Sequence, residues 1–300
     1  MRGSMSPDRR AGQFLALAQR LGAGLLRVHG TRLRLLTNDP GRIEGLVTGR
    51  RRAERGFEPA FDVVRVEVED LLPSSAPFHA ATHKIFAFRH FAGSGPGCKV
   101  LLDLDVLCAG GLAPDVVDRM AAGVPMVYDL TDQAVMSVGY PRMARDMARL
   151  SGSMHEFRWF GGEFIAGDAA FFGELFARVS GMLGAYGECH GELCHQGDEI
   201  LVSAALSAWH ERRSGLFDAG AHGVVQRQWL IQDQRDVRRL GPALPAFLHL
   251  PAMKSVLDSA WGDGTVASFA RWLDRRSGSV ARKSIRLAAA AAGRGGRGWG

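Results

Sequence analysis

The chain has 300 residues, 46% hydrophobic and 23% charged, an ordinary globular composition that excludes a disordered or fibrous protein. Four cysteines are too few for a disulfide framework, and no apolar run approaches the roughly 20 residues of a bilayer-spanning helix. The net charge of +6 gathers at Arg50-Arg51-Arg52 with Arg55 and in the tail from Arg271 to Arg297, yet no helix-turn-helix, finger or aromatic RNA-binding signature accompanies it, so no nucleic-acid partner is expected. Met1 to Ser4 reads as an added leader before a natural start at Met5, and without a signal-peptide apolar region the expected location is cytoplasmic. Lysines are confined to Lys84, Lys99, Lys254 and Lys283, so a lysine inside a motif carries more information than usual.

Asp8 to Leu21 has helical spacing and stops at Gly22. Arg32 to Pro40 alternates like a strand and ends in the turn residues Thr37-Asn38-Asp39. A helix from about Gly41 to Arg55 and a strand from Phe61 to Asp70 complete a β-α-β opening. Phe78 to Phe91 is helix-like and carries Lys84, and Gly93 to Gly97 turns the chain into the apolar run Lys99 to Leu107, read as one strand. A short strand over Pro125–Leu130, a helix over Pro141–Leu150, a strand over Trp159–Ile165 and helices over Asp168–Gly184 and Asp198–Arg212 follow. This alternation predicts an α/β fold with a mostly parallel sheet. Residues 1–280 are expected to form one domain. Residues 281–300 form a basic Ala/Gly-rich tail, expected to be partly disordered, and its cationic stretch is a candidate for weak contact with a membrane surface.

Asp103-Leu104-Asp105 carries the chemistry. Residues i and i+2 of a strand share a face, so both carboxylates converge on one hard cation, and Mn²⁺ or Mg²⁺ suits such oxygen ligands and brings in a substrate phosphate. His249 and Lys254 flank a proline-bearing loop, where imidazole completes a Mn²⁺ shell and lysine supplies a phosphate counter-charge. Gly161-Gly162-Glu163 permits close backbone approach beside a carboxylate. Asp198 and Glu199 occupy the first turn of a helix, where the dipole favours acids. Thr37, Asn38 and Asp39 offer donors and acceptors for a base or ribose, or form an Asx turn before Pro40. Cys189, His190, Cys194 and His195 are an alternative zinc set, though adjacent Cys-His pairs are cramped for that ion.

In this order the segments resemble the GT-A-fold glycosyltransferases, nearest to the glycogenin and bacterial lipopolysaccharide galactosyltransferase group. Lys84 precedes the D-x-D of Asp103 and Asp105. Gly161-Gly162-Glu163 stands where that group has an N-A-G-like strand, Gly197-Asp198-Glu199 where it has a D-Q-D-like helix start, and His249 to Lys254 where it has an H-x-x-G-x-x-K-P-W-like loop. The asparagine of the first of these, and the glycine and Pro-Trp of the last, are missing here. The resemblance implies a GT-A, Rossmann-like sheet, mixed but mostly parallel and flanked by helices. It implies a retaining sugar transfer from a nucleoside-diphosphate donor, a UDP-sugar above all, to a small-molecule, glycan or lipid-linked acceptor. Asp103, Asp105 and His249 would hold Mn²⁺ or Mg²⁺. Thr37, Asn38, Asp39, Lys84, Asp103 and Lys254 would bind the donor, and Asp198, Glu199 and Glu163, in that order, are the candidate carboxylates for the acceptor. A sugar nucleotidyltransferase would use the same metal-diphosphate logic but lacks its Gly-rich phosphate loop here, and a basic nucleic-acid-binding protein without catalysis is the non-enzymatic alternative.

Overall fold

The structure, a computed structural model, describes residues 7–70, 79–152, 156–213, 215–228 and 244–257. The tail 281–300 lies outside them. In chain order the elements are α1 (Pro7–His29), β1 (Leu33–Thr37), α2 (Pro40–Ala53), β2 (Phe61–Arg65), a 3-10 turn His79–Lys84, α3 (Ile85–Ala92), β3 (Lys99–Leu102) and β4 (Val106–Cys108). They continue with α4 (Pro114–Ala121), β5 (Met126–Asp129), α5 (Thr131–Val138), α6 (Tyr140–Ser151), β6 (Phe160–Gly167), α7 (Ala169–Cys189), α8 (Asp198–Arg213), β7 (Phe217–Asp218), β8 (Val225–Arg227) and β9 (Phe247–His249), then a one-turn helix Lys254–Leu257. Among the described residues no helix is long and apolar enough to cross a membrane.

The described residues fall into two compact units, one drawn from Met1–Arg65, Asp103–Leu112 and Gly223–Arg294, the other from Val66–Leu102 and Ala113–His222. In the first, β1 and β2 pair in parallel. Their inner face, with Leu35 and Phe61, packs on Leu15 and Ala18 of α1 and Val47 of α2, and Leu104 joins the edge of this core. The helix does not stop at Gly22 as the sequence suggests. It runs on to His29, and the glycine is needed there because a Cβ would collide with the Ala60 carbonyl. The second sheet of this unit has the order β4-β9-β8, with β4 antiparallel and β8 parallel to β9.

The other unit holds a four-stranded sheet in the order β3-β6-β5-β7. Strand β6 is antiparallel to both β3 and β5, whereas β7 is parallel to β5. The architecture is therefore mixed α/β, but not mostly parallel. The run from Lys99 to Leu107 is two strands separated by a turn, with β3 in this sheet and β4 in the other. Every residue of β6 is buried, Glu163 included, so no alternation of buried and exposed residues marks the direction of its neighbours.

Helix α8 completes β6 by an unusual route. Beyond the reach of β3, Phe160 N–H donates to Ser203 Oγ (2.9 Å), which donates back to Phe160 O (3.2 Å). One helical turn on, Ser207 Oγ does the same for Arg158 N (2.9 Å) and O (3.1 Å). The intervening Trp159 turns its backbone the other way, to Thr131 Oγ (2.9 Å) and Leu130 N (2.7 Å). Ser203 and Ser207 thus replace a missing neighbour strand. Ser203→Ala strands a buried N–H and C=O together and should lower the unfolding free energy by about 2 kcal/mol, read from urea denaturation. Ser207→Ala should cost less, because Arg158 is partly exposed.

Candidate metal centre

Asp103 follows β3 directly, and the carboxylate pair sits on a turn rather than on a continuous strand: Val106 N–H donates to Asp103 O at 3.3 Å. The shared face expected of i and i+2 on a strand is thus replaced by turn geometry, with Leu104 between them packed onto the α1–β1 core. The partner arrives by strand pairing. Val106 of β4 lies opposite His249 of β9, and Leu250 N–H donates to Asp105 O at 3.0 Å. That register delivers His249 Nε2 to 3.3 Å from Asp105 Oδ1, with both side chains almost wholly buried. One ligand atom each from Asp103, Asp105 and His249 lie within 4.8 Å of one another, the only such group among the described residues.

Lys254, at the start of the one-turn helix, places Nζ 3.2 Å from Asp105 Oδ2 and is half exposed. Asp105 Oδ2 is nonetheless buried without a hydrogen bond of acceptable geometry, an acceptor still open to a ligand. Burial pushes the Asp105 carboxyl up, but His249 and Lys254 outweigh it and hold it well below the ordinary carboxylate range. The group is ionised at neutral pH, as a metal ligand must be. Two carboxylates and an imidazole are a donor set that could hold a divalent cation.

The other residues singled out from the sequence assemble elsewhere. Lys84 ends the 3-10 turn ahead of α3, rather than lying within one helix from Phe78 to Phe91. Its Nζ sits 2.8 Å from Asp198 Oδ2 and donates to Gly162 O at 3.2 Å. Glycine at 162 leaves the pair room, since a Cβ would lie 2.9 Å from Lys84 Nζ and 3.1 Å from Asp198 Oδ2 and the ends of both side chains would have to shift. Glu163 is fully buried, and Glu199 accepts from Trp159 Nε1 at 3.1 Å. Lys84, Glu163, Asp198 and Glu199 therefore belong to the unit built on β6, the metal-ligand candidates to the other.

Sequence reasoning did not single out Trp159, and weighed His195 for zinc alone. The His195 ring meets Trp159 edge-on at 5.5 Å between centroids, and its Nδ1 accepts from Gly197 N at 3.0 Å, an assignment fixed by the bond itself. Trp159 flanking the Gly-Gly pair was the available signal. The loop before α8 is anchored, since Asp146 of α6, itself fully buried, accepts from Cys194 N at 2.7 Å and Tyr186 donates to Gln196 O at 2.5 Å.

Thr37, Asn38 and Asp39 form a helix cap. Asp39 N donates to Thr37 Oγ (3.1 Å) and Arg42 N to Asp39 Oδ1 (3.1 Å), so their bonds are local and Asn38 is exposed. Cys189, His190, Cys194 and His195 form no metal-ligating group among the described residues. Burial pushes the Cys194 thiol up to about 12, which disfavours the thiolate that zinc requires.

Comparison with protein-family models and with curated proteins finds no match.

Two measurements follow from this geometry. Because the folded carboxyl of Asp105 titrates below its unfolded value, its stabilisation is complete above the ordinary carboxylate pKa and is lost as pH falls through and below about 4. Asp105→Asn should therefore cost about 2 kcal/mol at pH 7, and the gap from wild type in denaturant midpoint should narrow steadily from pH 5 to pH 3. A gap that widens toward low pH would contradict the assignment. Gly162→Ala should shift the ends of Lys84 and Asp198 and destabilise by about 1 kcal/mol, whereas Gly162 in an ordinary solvated bend would tolerate alanine at no cost.

Proposed function

We propose that this chain is a glycosyltransferase of the GT-A class that moves a sugar from a nucleoside-diphosphate donor, a UDP-sugar in the first instance, to a hydroxylated acceptor with retention of configuration. The observation that carries the reading is the convergence of Asp103, Asp105 and His249 next to a lysine, in a chain with four lysines in all. Asp103, Asp105 and His249 would hold the divalent ion, which would supply electrostatic stabilisation for the negative charge of a departing diphosphate. Lys254 meets the same developing charge with a mobile ammonium. Asp198, in the first turn of α8 and ion-paired to Lys84, is the first candidate to accept a hydrogen bond from the acceptor hydroxyl, with Glu199 and the buried Glu163 behind it. A carboxylate at a helix N-terminus is a weak base, so its task is orientation more than proton removal. The acceptor is a small molecule, glycan or lipid-linked sugar.

The test is release of nucleoside diphosphate from a panel of sugar nucleotides by the full chain, with and without candidate acceptors. Activity should require Mn²⁺ or Mg²⁺ and vanish in excess EDTA. Asp103→Ala and Asp105→Ala should each lower turnover about a hundredfold or more, while Asp198→Asn should depress transfer to the acceptor and spare hydrolysis of the donor. Undiminished activity in EDTA would remove the metal from the account.

A further inference from the structure

We propose that Lys254 is a resident counter-cation of the metal centre: a divalent ion must displace it from Asp105, and a diphosphate then recaptures it, so that metal and diphosphate bind with positive cooperativity. This rests on the reading of Asp103, Asp105 and His249 as a divalent site, and it adds how that site is kept occupied and released.

The two oxygens of the buried Asp105 carboxylate face different partners. His249 Nε2 lies 3.3 Å from Oδ1, and Lys254 Nζ lies 3.2 Å from Oδ2. Asp105 is only 2% exposed and cannot turn to water for compensation, so in the absence of a metal the ammonium supplies it. The contact is an ion pair in which Oδ2 receives no hydrogen bond of acceptable geometry. A divalent ion held by Asp105 would compete with the ammonium for the same carboxylate, and the two cations would repel each other.

Charge bookkeeping gives the direction. With His249 in the neutral form that a metal ligand needs, Asp103, Asp105 and Lys254 sum to −1, from two carboxylates and one ammonium; a divalent ion makes the sum +1, which favours either loss of the lysine or arrival of an anion. The lysine is free to leave. Its side chain is 50% exposed, while its backbone is anchored by the buried Leu250, Met253 and Leu257 on either side, so the four-carbon stem can swing without moving the helix. A diphosphate offers two anionic centres, one for the metal and one for the displaced ammonium, and thereby pays back the repulsion that the metal alone incurs. Coupling of this kind is reciprocal.

The experiment is calorimetric titration of the full chain with Mn²⁺, with and without inorganic pyrophosphate, after the association of Mn²⁺ with pyrophosphate has been measured without protein and subtracted. In wild type, pyrophosphate should tighten Mn²⁺ binding about tenfold, within the usual range for coupled sites. Lys254→Met should bind Mn²⁺ alone about tenfold more tightly than wild type and lose the coupling, and Lys254→Arg should restore it. A second reading uses wild type only, against a folding failure of the variant. Acetylation mapped by mass spectrometry should show Mn²⁺ raising the labelling of Lys254 relative to Lys84 and Lys99, and pyrophosphate suppressing it again. If Mn²⁺ binds but Lys254→Met binds it no more tightly and Lys254 labelling is unchanged, the displacement is wrong and the metal site stands. If Mn²⁺ does not bind at millimolar concentration, the metal site itself falls.

Discussion

A carboxylate left 2% exposed must find its compensation within reach of its own oxygens, because water cannot supply it. For Asp105 that compensation comes from His249 and Lys254, which lie far along the chain and are brought in by the pairing of β4 with β9. The register of three residue pairs is enough: Val106 lies opposite His249, which brings the imidazole to the Asp105 carboxylate, and the Leu250 amide closes onto the Asp105 carbonyl. Helix α1, the longest among the described residues, also packs against β4, the strand that follows the carboxylate turn. Everything proposed for the centre depends on this short ladder, since a slip of one residue would turn His249 to the opposite face.

The second cluster obeys the same constraint with different parts. Asp198 is buried at the head of α8, where the helix dipole favours its charge, and Lys84 provides the explicit counter-ion. Gly162 makes the approach possible, and the two serines farther along α8 lock the helix onto the strand that carries that glycine. Position of the acidic groups is thus set by backbone pairing at one end and by an ion pair at the other. A site whose function requires a carboxylate held at fixed orientation is served by such overdetermination.

What was legible in the sequence was local. Asp103 and Asp105 stand out because two acids close an apolar run, and Lys254 because lysine is scarce. The helix starts at Pro40 and Asp198 and the capping role of Asp39 are readable from cap chemistry. The break of Lys99–Leu107 into two strands was not readable, since the same alternation continues through the turn and only the packing of Leu104 reveals it. Strand direction was lost for a related reason: a fully buried strand such as β6 has no solvent-exposed face, and nothing in its composition says whether its neighbours run with it or against it. Gly22 misled because the sequence shows the missing side chain but not the Ala60 carbonyl that needs the space. The short helices α4 and α5 went unread, each only eight residues long and amid turn-forming residues.

The central claim is that Asp103, Asp105 and His249 bind one divalent cation. A crystal of the full chain grown with Mn²⁺ and UDP, measured at the manganese absorption edge, tests it directly. The account predicts a single strong anomalous peak about 2.1 Å from a carboxylate oxygen of each aspartate and from an imidazole nitrogen of His249. A fully occupied manganese bound to other residues, with Lys254 still seated on Asp105, would contradict it.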